Sequence, residues 1–451
     1  MQKNSVGTGW KLLVALLAIS GNVNAQTKNE FSVDQCVEYG LKNSVTVKNA
    51  LLDIKNQEQV NKEIIATALP QINGSASITD FFDKPTQVAP VVFPGGTTNS
   101  LGYTELPFAL KYNSSFGIDA QQILFDGQVF IGLQAKQTAI DVYKKAAEVT
   151  EEQIKLNIYK VYFQLKTGEK QKESLDSNIA QFTKLLHDTK AIYDNGFAEK
   201  LDVDKVSVQL TNTETAREKV VNQLNAGYAG LKFLMNMPQA DTLILTDVLN
   251  EANLQQDTSA LAEPYLYTDR KEVQLLGLTS KLDAYNIRRY QMSRIPTLSA
   301  VGSYSKNAYD NNFNFFNNKE VWYPTSYVGL KLSVPIFDGF VKKTKIEEAK
   351  IAFAKDRNNL EQWKQQVDYE VTMSRTNMRS ALVTIGSQRK NMELAEQVYT
   401  TSKKKYEQGL GSNQELYEAQ TELTTAQNNY YSALYDAIVA KIDYMHAAGK
   451  L

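Results

Sequence analysis

Two very long stretches without proline constrain everything else in this chain. The first follows Ile123-Leu124-Phe125-Asp126-Gly127 and continues to Tyr193-Asp194-Asn195-Gly196; the second follows Pro335-Ile336-Phe337-Asp338-Gly339 and continues to Tyr406-Glu407-Gln408-Gly409. Phe125 and Phe337 are 212 positions apart and Gly196 and Gly409 are 213 apart, so the spacing holds over the whole stretch. A 4-3 pattern reads Ile154, Ile158, Val161, Leu165, then Leu175, Ile179, Phe182 and Leu186 in the first copy. In the second it reads Val367, Val371, Ser374, Met378, Ala381 and Ile385, and later Met392, Ala395 and Tyr399. That spacing is a coiled-coil seam. At ~1.5 Å per residue, roughly 67 helical residues make a rod of about 100 Å, longer than the core of a compact domain of this size. The rest of the chain must serve two such helices.

Taken in order, residues 33–66 have helical spacing (Val33, Val37, Leu41, Leu51, Ile54), and Pro70 ends that helix. The period then switches to two. Ile72, Gly74, Ala76 and Ile78 alternate with Asn73, Ser75, Ser77 and Thr79, and after a Pro-, Gly- and Thr-rich loop (Pro85 to Pro107) Phe116, Ile118, Ala120 and Leu124 alternate with Ser115, Gly117, Asp119 and Gln121. The first long helix, a turn at Gly196 and a return helix to about 236 follow. Residues 237–265 read as an irregular connector with little visible chemistry. The pattern then restarts: a helix broken by Pro296, an alternating run from Leu298 to Tyr304, and a loop of Asn and aromatic residues. A fourth strand follows with Val328, Leu330, Leu332, Val334 and Ile336 on one face. The second long helix and a last helix complete an internal duplication. The expected division is a segment 1–25, a first repeat 26–236 with strands near 70–83 and 112–126 and a long helix 128–194, the connector, and a second repeat 266–451. The second repeat has strands near 296–306 and 325–337 and a long helix 341–407.

The first 25 residues differ from the rest. Lys3 and Lys11 precede an apolar run from Leu12 to Ile19, and Val23-Asn24-Ala25 offers small residues at a cleavage position. This predicts a secretory signal peptide cut after Ala25; the apolar run is too short to span a bilayer. No later apolar run is long enough for a transmembrane helix, so any membrane role falls to strands. A net charge of −1 gives no electrostatic case for nucleic acid. The sole cysteine, Cys36, sits on an apolar helix face as a small buried residue and has no internal disulfide partner.

Four strands with one apolar and one small polar face fit an ordinary half-buried sheet. They also fit a membrane barrel, because the strands are long, aromatic residues cluster at the loop ends, and the chain carries an export signal. Four strands cannot close a barrel, since about eight give an interior just filled by side chains. Three copies would supply twelve, with a lumen left open by Ser, Thr, Asn and Gly. The helix lengths agree: each pair of shorter helices sums to roughly one long helix, so each repeat makes two columns of equal length.

These features resemble the TolC family of outer-membrane efflux channels. The resemblance rests on the Leu-Pro and Ile-Pro pairs before strands one and three, and on Phe125-Asp126-Gly127 and Phe337-Asp338-Gly339 at the strand-to-helix junctions. The two turns ending in Gly196 and Gly409 and the C-terminal Ala447-Ala448-Gly449-Lys450-Leu451 add to it. It covers nearly all of the mature chain. It implies a mainly α protein with a membrane β-barrel part: a homotrimer with a shared 12-stranded barrel continued by an α-helical coiled-coil tunnel in the periplasm. Such a protein is the passive exit duct of a tripartite efflux pump or a type I secretion system. Its partners are a periplasmic adaptor, an inner-membrane transporter reached through that adaptor, and outer-membrane lipid. The resemblance places the adaptor contacts at Gly196, Phe197, Gly409 and Leu410, and a periplasmic gate at Asp202, Tyr406, Glu415 and Glu418. Glu415 and Glu418 share a helix face, so three subunits would present carboxylate rings. Gly411 stands where the resemblance expects a basic constriction residue; Lys200 and Lys403 to Lys405 are the nearby cations.

Plainer readings accompany each site. Carboxylates on a long helix usually form a solvated face, glycine ends a helix whatever its function, and Asp126 and Asp338 suit helix capping. Gly168 reads as a tolerated surface glycine. His187 and His446 are isolated, so no metal, cofactor or catalytic constellation is expected and no enzyme is indicated. Two other functions compete with the duct. A trimeric coiled-coil adhesive stalk would have no need of polar strand faces, and a periplasmic adaptor would need only one helical hairpin.

Overall fold

The computed structural model describes residues 28–89, 97–99, 101–107, 109–249, 264–317 and 320–451. The segment 1–25, expected to be a signal peptide, lies outside them. The chain divides into two compact units. One comprises 51–146 and 272–363, the other 1–50, 147–271 and 364–451.

The first unit is built on a four-stranded antiparallel sheet in the order β2 (Gln71–Asp80), β6 (Tyr112–Phe125), β8 (Thr297–Asp310), β9 (Tyr323–Ser333). In register, Ile72 faces Ala120, Ala120 faces Gly302 and Gly302 faces Val328, so the even-numbered apolar residues of all four strands share one face. The odd-numbered face carries Asn73, Ser75, Ser115, Ser303 and Ser305 among its small polar residues. A register shift lies between Ile123 and Phe125. Leu124 is therefore an extra residue, and Phe125, not Leu124, comes opposite Leu298 on the apolar face. β8 continues to Asp310, beyond the expected end, whereas β9 stops at Ser333, since Pro335 has no N–H to extend a ladder. The stretch expected to be only loop holds a second, small sheet of β3 (Thr86–Ala89), β4 (Thr97–Thr98) and β5 (Thr104–Pro107).

Both junctions to the long helices are capped by aspartate. Asp126 Oδ1 accepts the N–H of Gln128 at 2.7 Å at the start of α3 (Gly127–Asp194), and Asp338 Oδ2 accepts that of Lys342 at 3.0 Å at the start of α6 (Val341–Glu407). Gly127 is required for space: a Cβ there would lie 2.6 Å from Ile295 and 2.9 Å from Met292. The chain between residues 33 and 66 is two helices, α1 (Val33–Asn43) and α2 (Val45–Ala66), because Ser44 adopts an extended conformation. The Asn43 amide also bonds the Tyr39 carbonyl at 3.0 Å, the local side-chain competition that ends helices.

In the second unit, α1 packs with α3, the return helix α4 (Lys200–Met235) and the connector. Cys36, Val37, Ile158, Tyr162, Leu165, Leu231 and Met235 form one core with Leu243 and Leu245. Those last two belong to β7 (Thr242–Leu245), which pairs in parallel with β1 (Lys28–Phe31), so this part of the connector is ordered rather than irregular. Burial and the Asp247 carboxylate push the Cys36 thiol up to about 12, leaving it an inert core residue. At the connector's far end, Tyr265 and Tyr267 donate to Asp368, and the buried Arg270 guanidinium pairs with Glu370 at 2.8 Å. Gly168 is not a free surface position. A Cβ there would meet Leu224 of α4 at 3.0 Å, while Gly227 of α4 would meet Leu165 at 2.7 Å, so the two helices interlock through reciprocal Gly–Leu contacts.

Candidate functional site at the hairpin turns

Two helical hairpins of the second unit end in turns of the same construction. At the first, the Gly196 N–H reaches the Tyr193 carbonyl at 2.8 Å and the Phe197 N–H reaches Ile192 at 3.0 Å. At the second, Gly409 N–H bonds Tyr406 at 3.0 Å and Leu410 N–H bonds Lys405 at 2.9 Å. Each is a Schellman ending, with glycine in the left-handed region at φ 80° and 72°. The residue that usually folds back onto the helix here points outward instead: Phe197 is 85% exposed and Leu410 77%.

Between the hairpins lies a cavity of about 1090 Å³, lined from α3, α6 and the last helix α7 (Asn413–Ala447). Phe197, Tyr406 and Gly409 reach it, so the fold brings together three of the residues singled out in the sequence. It also brings Gln181, Asp188 and Gln420, which sequence reasoning missed. The Tyr406 hydroxyl, Gln181 Oε1 and Gln420 Oε1 are buried there without a hydrogen-bond partner among the described residues. Burial first, and then the Asp188 carboxylate, push the Tyr406 phenol above its usual value. A polar lining with unsatisfied acceptors suits a hydrogen-bonding occupant better than an apolar one.

The acidic residues are placed differently. Asp202 lies in the first turn of α4, where Oδ2 accepts the Glu199 N–H at 3.4 Å, so it has a local capping role. Glu415 and Glu418 are exposed on α7; Glu418 accepts from Gln414 at 2.6 Å, and Gln414 in turn accepts from Lys205 at 3.1 Å. Neither glutamate lines the cavity, and among the described residues neither Lys200 nor Lys403 to Lys405 forms an ion pair with Asp202, Glu415 or Glu418. The departure at Gly411 has a steric cause. A Cβ there would lie 3.1 Å from Lys405 Cβ and 3.2 Å from the Tyr406 nitrogen, leaving little room for a basic side chain.

A family profile described as outer membrane efflux protein matches residues 280–450. The outer membrane protein TolC of Vibrio cholerae serotype O1 is 20% identical over 342 residues, covering 75% of this chain and 77% of the relative. Over that segment the chain is similar to the outer membrane efflux proteins. Two solved structures share its fold. VceC from Vibrio cholerae has a TM-score of 0.71 at 14% identity over 92% of this chain and 96% of that one. The CmeC outer membrane channel of Campylobacter jejuni has 0.71 at 14% over 93% and 85%. These similarities mark it as an outer-membrane protein that extends into the periplasm, and its relatives are outer-membrane efflux and channel proteins.

The contact of α3 with α7 is polar at its centre. Asn178 and Gln420, each 1% exposed, bond to one another at 3.1 Å, and Asn178 donates to Gln427 at 2.9 Å. Ser174 also donates to Gln427, at 2.7 Å, and nearer the turns Thr189 donates to Asn413 at 3.0 Å. The signal for this ladder was present as amides at positions of the 4-3 seam where Leu or Ile is usual.

Proposed function

We propose that the chain is one subunit of a homotrimeric passive duct across the outer membrane, serving a tripartite efflux pump or a type I secretion system. The observation that carries this reading is the four-stranded sheet. Its outer strands β2 and β9 are long and their outer edges are unpaired among the described residues, a feature that monomeric proteins avoid. Joining β9 of one copy to β2 of the next closes a ring, and three copies give twelve strands. The apolar even-numbered face then meets lipid and the small polar face lines a lumen. Two structural repeats, 26–236 and 266–451 joined by the connector 237–265, account for the matched pairs of strands and long helices.

In this reading the hairpins form the periplasmic entrance. Gly196, Phe197, Gly409 and Leu410 contact a periplasmic adaptor, whose helical tip hydrogen-bonds into the cavity lined by Tyr406. Asp202, Tyr406, Glu415 and Glu418 set the entrance, and an inner-membrane transporter supplies energy through the adaptor. The exposure of Phe197 and Leu410 supports the docking assignment, and that of Glu415 and Glu418 supports carboxylates open to passing ions.

Single-channel recording of the purified trimer in a planar bilayer tests this. A small, cation-preferring current is expected, and Asp202→Ala with Glu415→Ala and Glu418→Ala should raise resting conductance and reduce cation preference. Unchanged conductance and selectivity would remove the three acids from the entrance. No current from wild type or variant would favour an adhesive stalk.

A further inference from the structure

The handover from sheet to long helix carries an exposed cluster that duct function does not require. Beyond β9 the apolar alternation continues through Val334 to Ile336, which is 94% exposed. Phe337 and Phe340 then meet edge to face at 5.5 Å, with 75% and 64% of their surfaces exposed. Gly339 and Phe340 are both left-handed, at φ 64° and 68°. A phenylalanine held there is strained, and such strain persists where surroundings or function require it. The other junction has a similar pair: Phe125, set on the apolar face by the bulge, lies 5.7 Å from Phe130, and both are exposed. Phe125 and Leu332 are both in register with Leu298, so the two junctions lie at one end of the sheet.

A recess of about 340 Å³ beside Phe337 and Phe340 is also lined by Arg294, Lys342 and Lys343. Among the described residues none of these three cations pairs with an acidic side chain. Asp338, which also lines the recess, is engaged with the Lys342 backbone N–H.

We propose that this recess binds the headgroup of an anionic glycerophospholipid at the periplasmic boundary of the outer membrane. The rings and Ile336 enter the acyl region, and Arg294, Lys342 and Lys343 hold the phosphate. This rests on the reading of the sheet as the membrane part. Free phosphate would account for the cations but not for the bare rings beside them. A protein partner covering the rings would bury unpaired cations, which is costly. A lipid presents an anionic phosphate and an apolar chain side by side, which matches the recess, and basic residues next to apolar ones are a recurrent interfacial anchor.

Full-length protein reconstituted into nanodiscs of phosphatidylcholine with a minority of phosphatidylglycerol, followed by native mass spectrometry, counts the lipids retained. Wild type should retain phosphatidylglycerol preferentially. The variant Arg294→Gln/Lys342→Gln/Lys343→Gln should lose that preference by roughly fivefold per cation. Phe340→Gly keeps the charges and relieves the left-handed residue; it should retain less of both lipids. Bilayer insertion and current of the same proteins report separately on the duct. Variants that insert and conduct but lose the preference support the site. Three results overturn it: a wild type that inserts without preference, a preference that survives the triple substitution, or release of the lipid by millimolar inorganic phosphate. Wild type that enters no bilayer overturns the membrane reading, and the lipid site with it.

Discussion

The α3–α7 amide ladder allows a quantitative test of how the two hairpins are held. Asn178→Leu removes the bond to Gln427 and leaves the Gln420 amide N–H without its acceptor at a buried position. Gln427 Oε1 keeps its bond from Ser174, so only one group is orphaned. A neutral hydrogen bond contributes about 1 kcal/mol and an orphaned buried donor costs about 1–3 kcal/mol, so the single substitution should cost about 3 kcal/mol locally. Gln420→Met alone leaves Asn178 Oδ1 unpaired and should cost less, because Gln420 Oε1 already has no protein partner. The double variant Asn178→Leu/Gln420→Met replaces both amides by apolar groups of similar shape and should lie within about 1 kcal/mol of wild type.

Hydrogen exchange with mass spectrometry measures this directly on peptides covering 171–180 and 417–428. A local loss of about 3 kcal/mol speeds exchange on the order of 100-fold for Asn178→Leu, and the double variant should return it to within about tenfold of wild type, the size of a 1.4 kcal/mol difference. Exchange unchanged in the single variant, or a double variant as fast as the single one, would refute the reasoning. The first would mean that the amides see water; the second would mean that packing, not hydrogen bonding, sets the cost.

Two further predictions concern stability. Burial first, and then the nearby Asp356 carboxylate, raise the Asp283 carboxyl above its usual value. A raised carboxyl favours the folded state at low pH, and that contribution is lost as pH rises through the folded value. Asp283→Asn should therefore melt higher than wild type at pH 7.5, with the gap closing as pH falls toward the usual aspartate value of about 3.9; thermal unfolding at the two pH values checks it. Gly227→Leu forces atoms into the space held by Leu165 and should destabilise by about 1–3 kcal/mol. Gly230→Ala, where an added Cβ meets nothing within the chain, should gain up to about 1 kcal/mol of helix propensity.

What could be read from the sequence divides along a physical line. The long helices and the four strands declare themselves because their signals are local and repeated: no proline, 4-3 spacing over many turns, and strict alternation. The glycine turns are local too, and both have the left-handed residue the sequence required. β7 pairs with β1, 214 positions away in register, and a four-residue Thr-Leu-Ile-Leu run cannot announce such a partner. The seam was read nearly in phase: Leu175 and Phe182 are buried, but Asn178 and Leu185 take the places assigned to Ile179 and Leu186. Reading for apolar residues alone could not find Asn178, since its burial is decided by Gln420 and Gln427 on another helix. The cavity beside Tyr406 is illegible for the same reason, being assembled from three helices. Polar residues at seam positions are thus the part of such a sequence that carries partner-specific information, and they deserve the first substitutions. An apolar seam holds two hairpins by area, without regard to what approaches. An amide ladder holds them by matched groups, each of which must meet its partner on the facing helix or be left unpaired at a cost of about 1–3 kcal/mol.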